Sequence, residues 1–293
     1  MYGSWSGTCC GAKLVTMEPT AAEALRQLFE QEEAAIDLGR AALLLARTEY
    51  PELDIDAEAG RLDILAAEAA SVVSAQPEPA GRLAALRFFL AETCGFQGNE
   101  QDYYDPRNSF LNEVLDRRTG IPITLSVVYM EVGRRLGVPL FGVGLPGHFV
   151  VKHQRGGQIE FVDPFHGGRT LSAANCRELV QDRYQGQVEF REDFLAAMPK
   201  KDILARMLHN LRNIYVQRRQ FRKTLGLVEM ALALEPGSGD DLKQRGLLHY
   251  QLGNHRQARL DLEAYLARHP EAADAKEIRE TLDGLKRYSA MLN

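Results

Sequence analysis

The residues best placed by type and spacing to do chemistry lie between Tyr104 and Gly168. His148 opens the apolar run HFVVK, and Asp163 closes FVDP 15 positions later. A histidine and a carboxylate on neighbouring strands can serve as a general base and the group that fixes its tautomer. Such a pair also needs a nucleophile. A thiol or a hydroxyl could fill that role. The helix start in this segment is Gly120-Ile121-Pro122, running on as ITLSVVYMEVGRRLG to Gly137. Its first position is therefore Pro122, which has no nucleophilic atom. Thr124 and Ser126 stand in the first turns, but a hydroxyl needs an adjacent base to attack. The isolated cysteines are Cys94, in a different helix, and Cys176, in a turn-like stretch.

His148, His153, Asp163 and His166 can also be read as metal ligands, but their spacing matches no strong metal motif. No CxxC pair and no Gly-rich phosphate loop is present. The sequence thus leads us to expect neither a metal nor a cofactor. Purely structural anchoring of the two strands by His148 and Asp163 is the plainer alternative to a cleft that grips a ligand.

Several elements must position this segment. Thr20 with Glu23 makes a capping box ahead of a helix carrying Leu25, Leu28 and Phe29 on one face. Further helices are expected over 36–48, over 57–74 with Leu62, Ile64 and Leu65 inward, and from Pro79 to Gly95. A polar turn at 100–107 precedes a helix capped by Asp105 or Asn108. Leu125, Val128, Tyr129, Val132 and Leu136 give the Pro122 helix a broad apolar face, so it should be buried. Strands follow at 140–143, 148–152 and 158–162, with a hairpin turn at Gly156-Gly157. Helices followed by antiparallel strands indicate α+β rather than a βαβ repeat.

From Ala205 the texture is helical and periodic. Pro236 and Pro270 stand 34 residues apart, the tetratricopeptide period. The second unit carries Leu242, Gly246 and Tyr250, then Ala258 and Leu262. Gly246 and Ala258 would let paired helices approach closely, and 275–291 would cap the array. Two repeats are too few to stand alone, so they should pack on the preceding domain through apolar residues between Phe190 and Leu211. Arg206, Arg212, Arg218, Arg219, Arg222 and Lys223 occur with no acid between Asp202 and Glu229. This basic stretch could hold an acidic peptide, or it could be a solvated face or a docking surface for the acidic first domain.

Composition narrows the class. The chain has 293 residues, 45% apolar and 26% charged, which is ordinary for a globular protein. Residues 1–200 carry a net charge of −9 and residues 201–293 a net of +4. The split marks two surfaces, but it is too weak to argue for nucleic-acid binding. No apolar run is long enough to cross a bilayer. The first 19 residues read as an irregular tail with no secretory pattern, and Met17 is an alternative start. Four cysteines without a framework suit a reducing cytoplasm.

NSFLNEVLDRRTGIPITLSVVYMEVGRRLGVPL, GVGLPGHFVV and FVDPFHGG together resemble the transglutaminase-like domain of the bacterial SirB-type family, over residues 20–290. The resemblance implies a helical N-terminal part (20–99), a papain/transglutaminase-like core with a small antiparallel sheet (100–200), and C-terminal α-helical tetratricopeptide hairpins (201–293, with repeats near 205–236 and 239–270). It implies a Cys-His-Asp triad, with His148 and Asp163 in their places. The cysteine position, two after Gly120 and 15 before Gly137, is Pro122. The expected function is a non-catalytic scaffold or regulatory adaptor that binds a protein or peptide partner through Arg212, Arg218, Arg219 and Arg222. The rival is a hydrolase or amide-transfer enzyme with a non-standard nucleophile near His148 and Asp163.

Overall fold

A computed structural model describes residues 19–155 and 157–291, with side chains to 287. The N-terminal tail, its cysteine pair, Met17 and Gly156 of the hairpin turn lie outside the described residues. The fold is α+β, as the order of elements predicts.

Helix α1 (Ala21–Phe29) starts on the Thr20–Glu23 capping box. Helix α2 (Leu38–Ala46) is apolar almost all round and buries every residue except Arg40, the pattern of a helix running through a core. Helix α3 (Ile55–Ser74) is capped by Asp54. Leu62 and Leu65 turn inward, but Ile64 is 59% exposed. Two residues from Leu62, it falls across the helix axis from the buried face, so the inward reading of Ile64 is corrected. Helix α4 (Pro79–Phe88) runs into a π turn over Phe89–Thr93, and Gly95 ends it at φ +73°.

Strand β1 (Gln97–Gly98) pairs in parallel with β2 (Thr119–Gly120), and helix α5 (Leu111–Arg117) lies between them in sequence. Helix α6 (Pro122–Arg135) is the centre of the molecule, buried from Pro122 through Gly133. The main sheet is an antiparallel meander of β3 (Phe141–Val143), β4 (Val150–Arg155), β5 (Gln158–Asp163) and β6 (Arg169–Leu171). Helix α7 (Ala173–Tyr184) opens on a second capping box, Ser172–Asn175. Cys176 therefore lies in a helix and not in a turn. With only Cys176 and Val180 buried on it, α7 offers little apolar periodicity from which to predict it.

Five helices finish the chain: α8 (Lys200–Gln217), α9 (Phe221–Leu234), α10 (Gly239–Gln251), α11 (His255–Arg268) and α12 (Ala275–Met291). Gly246 is needed where α10 meets α11, since a Cβ there would come within 2.8 Å of Leu262. Helix α8 sinks Ile203, Leu204, Met207, Leu208 and Leu211 into the same core as α2 and α6. Helix α9 has two inward faces. Leu227, Met230 and Leu234 join that main core, while Val228 and Leu232 join a second core with α10 to α12. Glu49 fastens the first hairpin by accepting from Tyr215 Oη (2.9 Å) and Lys223 Nζ (2.6 Å).

Candidate functional site

Asp163 is the hub. It ends β5 with no exposed surface and caps the turn Pro164–His166. Its Oδ1 accepts from the backbone N–H groups of Phe165 (3.2 Å) and His166 (3.3 Å). Its Oδ2 lies 2.7 Å from His166 Nδ1 and accepts from the Arg169 guanidinium at 3.3 Å. His148 Nε2 stands 3.1 Å from Oδ1. That nitrogen is buried, and its contact with the carboxylate is close but poorly aligned, a weak polar contact rather than a well-formed hydrogen bond. Burial alone pushes the Asp163 carboxyl up, but His148 and His166 more than reverse this and hold it at about 2.

The loop carrying His148 is fixed from two sides. Its own N–H donates to the Leu145 carbonyl at 3.1 Å. Arg206 of α8 donates to the carbonyls of both Leu145 (2.9 Å) and His148 (2.8 Å). Gly147 has φ +69°, and a Cβ there would overlap the Arg183 side chain of α7 at 2.4 Å, so glycine is strongly favoured. An edge contact with Phe165 and a tilted one with His166 then orient the His148 ring, at 6.2 Å and 5.6 Å between centroids. Phe165 occupies the space a Cβ on Gly98 would need, 2.5 Å away.

The sequence-predicted site residues are only partly brought together. His148 and Asp163 meet, and His166 joins them because the turn after Asp163 folds it back. His153 does not join; its Nδ1 lies 2.9 Å from the Pro139 carbonyl. Pro122 is the first residue of α6 and is buried. The Thr124 and Ser126 hydroxyls are buried with no hydrogen-bond partner among the described residues, so neither has an adjacent base. Burial raises the Cys94 thiol and pushes Cys176 up to about 12. Neither is an activated nucleophile.

The basic stretch divides as well. Arg212 is taken up by an ion pair with Asp241 of α10, an acid far away in sequence, which removes it from the free partner-binding set. Arg218 donates to the Tyr104 carbonyl at 3.1 Å. Arg219 (φ +54°) and Arg222 are exposed at the α8–α9 turn. A recess of about 80 Å³ lies between this hairpin and the core, lined by Tyr103, Tyr104, Ile121, Asn210, Asn213 and Gln217. A larger open depression of about 890 Å³, bordered by Pro79, His153 and Ile159, sits elsewhere on the sheet and contains none of the His148 cluster. Sequence reasoning counted Arg206 in the basic stretch and missed its role at the His148 loop. An arginine on an amphipathic helix gives no signal of the two loop carbonyls it will meet.

A family model described as transglutaminase-like superfamily matches residues 57–209, and a tetratricopeptide repeat model matches 211–283. A UPF0162 protein of Xylella fastidiosa (strain 9a5c) is 37% identical over 255 residues, covering 85% of this chain and 89% of that protein. A UPF0162 protein of Vibrio cholerae is 26% identical over 264 residues, covering 89% and 97%. Human F-box only protein 21 is 28% identical over 182 residues, covering 58% of this chain and 28% of that protein. Among solved structures, menin aligns with a TM-score of 0.43 at 12% identity, over 89% of this chain and 69% of that one; a likeness at that level carries no argument.

Proposed function

Since the chain belongs to the UPF0162 family, with a transglutaminase-like region over 57–209 and tetratricopeptide repeats over 211–283, we propose that it is a scaffold or regulatory adaptor without thiol catalysis that holds a protein partner. One observation carries the reading. The buried helix that should present a nucleophile to His148 begins with Pro122. The SirB-type relationship and a cytoplasmic location belong to the same proposal, resting on the motif spacing and on the pattern of cysteines. No helix among the described residues is long and apolar enough to cross a membrane.

Tetratricopeptide repeats generally mediate protein–protein contacts, which supports a protein partner. The surface best suited is the α8–α9 turn with Arg218, Arg219 and Arg222, beside the recess at Tyr103 and Ile121. An acidic segment crossing that turn could place a side chain in the recess. The enzymatic alternative, a hydrolase or amide-transfer catalyst, draws on the intact His148–Asp163 pair. It requires a nucleophile against the His148 ring.

Two measurements test the proposal. Affinity capture with the whole chain is compared with an Arg218→Glu/Arg219→Glu/Arg222→Glu variant, and the recovered partner is then titrated directly. Because these side chains are exposed, the variant should keep its thermal midpoint. Its affinity should fall by about tenfold or more, with a weaker salt dependence. Unchanged recovery and affinity would reject the basic surface. Separately, native alkylation at pH 7.5 should be slower than in the unfolded chain on the peptide containing Cys94, and at least roughly 100-fold slower on the peptide containing Cys176. Rapid labelling that disappears in His148→Ala would restore the enzymatic reading.

A further inference from the structure

We infer that His148, Asp163 and His166 form a binding site for one divalent first-row transition ion of the zinc or ferrous-iron class. Spacing in the sequence argues against a metal, because the three residues are 15 and 3 positions apart with no motif around them. The fold removes that objection. The hairpin β4–β5 and the turn after Asp163 bring one donor atom from each residue to within 4.8 Å of the others. The nearest donor pairs are 3.1 Å and 2.7 Å apart, His148 Nε2 to Asp163 Oδ1 and His166 Nδ1 to Asp163 Oδ2. Ligand atoms bound to an ion at about 2.1 Å stand roughly 3–3.5 Å from one another, so the two His–Asp pairs are already near that spacing and the rest of the set, within 4.8 Å, would have to draw in around the ion. Two imidazoles and a carboxylate are the donor set that such ions prefer, and magnesium or calcium would call for more oxygen.

Two independent features point to an ion rather than to a bare hydrogen-bonded cluster. His148 is only 8% exposed, yet its Nε2 meets the cluster through a poorly aligned 3.1 Å contact with Asp163 Oδ1. A buried polar atom left in that state is costly, and a metal would satisfy it. The second feature is the outer surroundings. With His166 ligating through Nδ1, its Nε2 faces the exposed Glu100 carboxylate at 4.0 Å, a step short of the carboxylate–histidine–metal relay that fixes ring orientation and raises ligand basicity, and within a rotamer change of forming it. The backbone N–H groups of Phe165 and His166 already hold the Asp163 carboxylate in place. Access is available along His166, whose side chain is 35% exposed. Arg169, the one arginine or lysine on the carboxylate among the described residues, is itself half exposed, so its displacement by an ion would return it to water. Three protein ligands would leave a coordination position open for water or a partner's oxygen.

The test uses the full-length chain with Cys9→Ser and Cys10→Ser, so that tail thiols do not bind metal. After chelator treatment it is titrated with Co²⁺ and followed by visible absorption, then displaced with Zn²⁺. One ion per chain is expected. His166→Ala and His148→Ala should each weaken binding at least about 100-fold, Glu100→Gln about tenfold, and His153→Ala not at all. Zn²⁺ should raise the thermal midpoint of the parent and leave that of His166→Ala unmoved. His166 is partly exposed, so its variant should fold even where His148→Ala does not. Absence of a bound ion in the parent, or an affinity unaltered by His166→Ala, overturns the inference. Neither outcome bears on partner capture by the arginine turn, so this site and the adaptor reading are tested separately.

Discussion

A chain cut after Pro199 is expected to lose cooperative unfolding, whereas one cut after Pro236 should keep it. The reason lies in α8. Ile203, Leu204, Met207, Leu208, Leu211, Ile214 and Tyr215 are all buried in the core that α2 and α6 build. Burying a large apolar side chain contributes about 1.5–3 kcal/mol, so removing seven costs on the order of 10 kcal/mol. That matches the whole stability of a typical domain, about 5–15 kcal/mol. The cut would also expose the apolar faces left behind and free the His148 loop from Arg206. A cut after Pro236 keeps α8 and α9, and with them the main core; it exposes Val228 and Leu232 and removes the second core. Urea denaturation of residues 19–199 and 19–236, followed by far-ultraviolet circular dichroism, decides the matter. A cooperative transition in the shorter fragment would show that α8 is a separable attachment.

This packing also bears on where one part of the chain ends and the next begins. The two matched family regions meet at residue 210, in the middle of the continuous helix Lys200–Gln217. Sequence patterns divide there because the periodic signature begins there, not because the chain has a hinge. We propose that the structural unit built around α6 extends through α9, and that α9 is shared with the repeat that follows.

What could be read in the sequence was largely local. Thr20 with Glu23, Pro122 at a helix start and Gly137 at its end each act within a few residues, so their types announce them. The β4–β5 hairpin shows itself through two short apolar runs on either side of a glycine pair. Contacts fixed by the path of the whole chain were harder to see. Arg212 finds Asp241 only when α10 folds back. Arg206 reaches two loop carbonyls that carry no sequence signature. Strand β6 is three residues long, too short for a period to show. His166 joins His148 because Asp163 caps a tight turn, a geometry that spacing counted along the chain does not convey.

Replacing Asp163 by asparagine should destabilise the protein by about 2 kcal/mol at pH 7, and that deficit should vanish in acid. The carboxyl is held at about 2, well below the 3.8 of a free aspartate, and a tenfold difference in proton affinity corresponds to about 1.4 kcal/mol. For a group whose folded pKa lies below its unfolded one, the stabilisation is complete above the unfolded value and is lost as pH falls through the folded value. The window is therefore pH 4 to 2. Asparagine is nearly isosteric and can still cap the turn through its Oδ1, so the comparison isolates the charge. Other carboxylates titrate alike in both proteins and cancel in the difference. Asp163→Ala should cost more, about 3–5 kcal/mol, because the two backbone N–H groups and His148 then lose their buried partner. Urea midpoints measured in chelator at pH 7, 5, 3.5 and 2.5 remove any contribution from a bound ion. A gap between wild type and Asp163→Asn that stays constant across that series would mean the carboxylate is not the electrostatic hub of His148 and His166. If the gap instead closes below pH 4 and adding Zn²⁺ at pH 7 widens it, the same side chain stabilises the fold by its charge and supplies the ion's oxygen ligand.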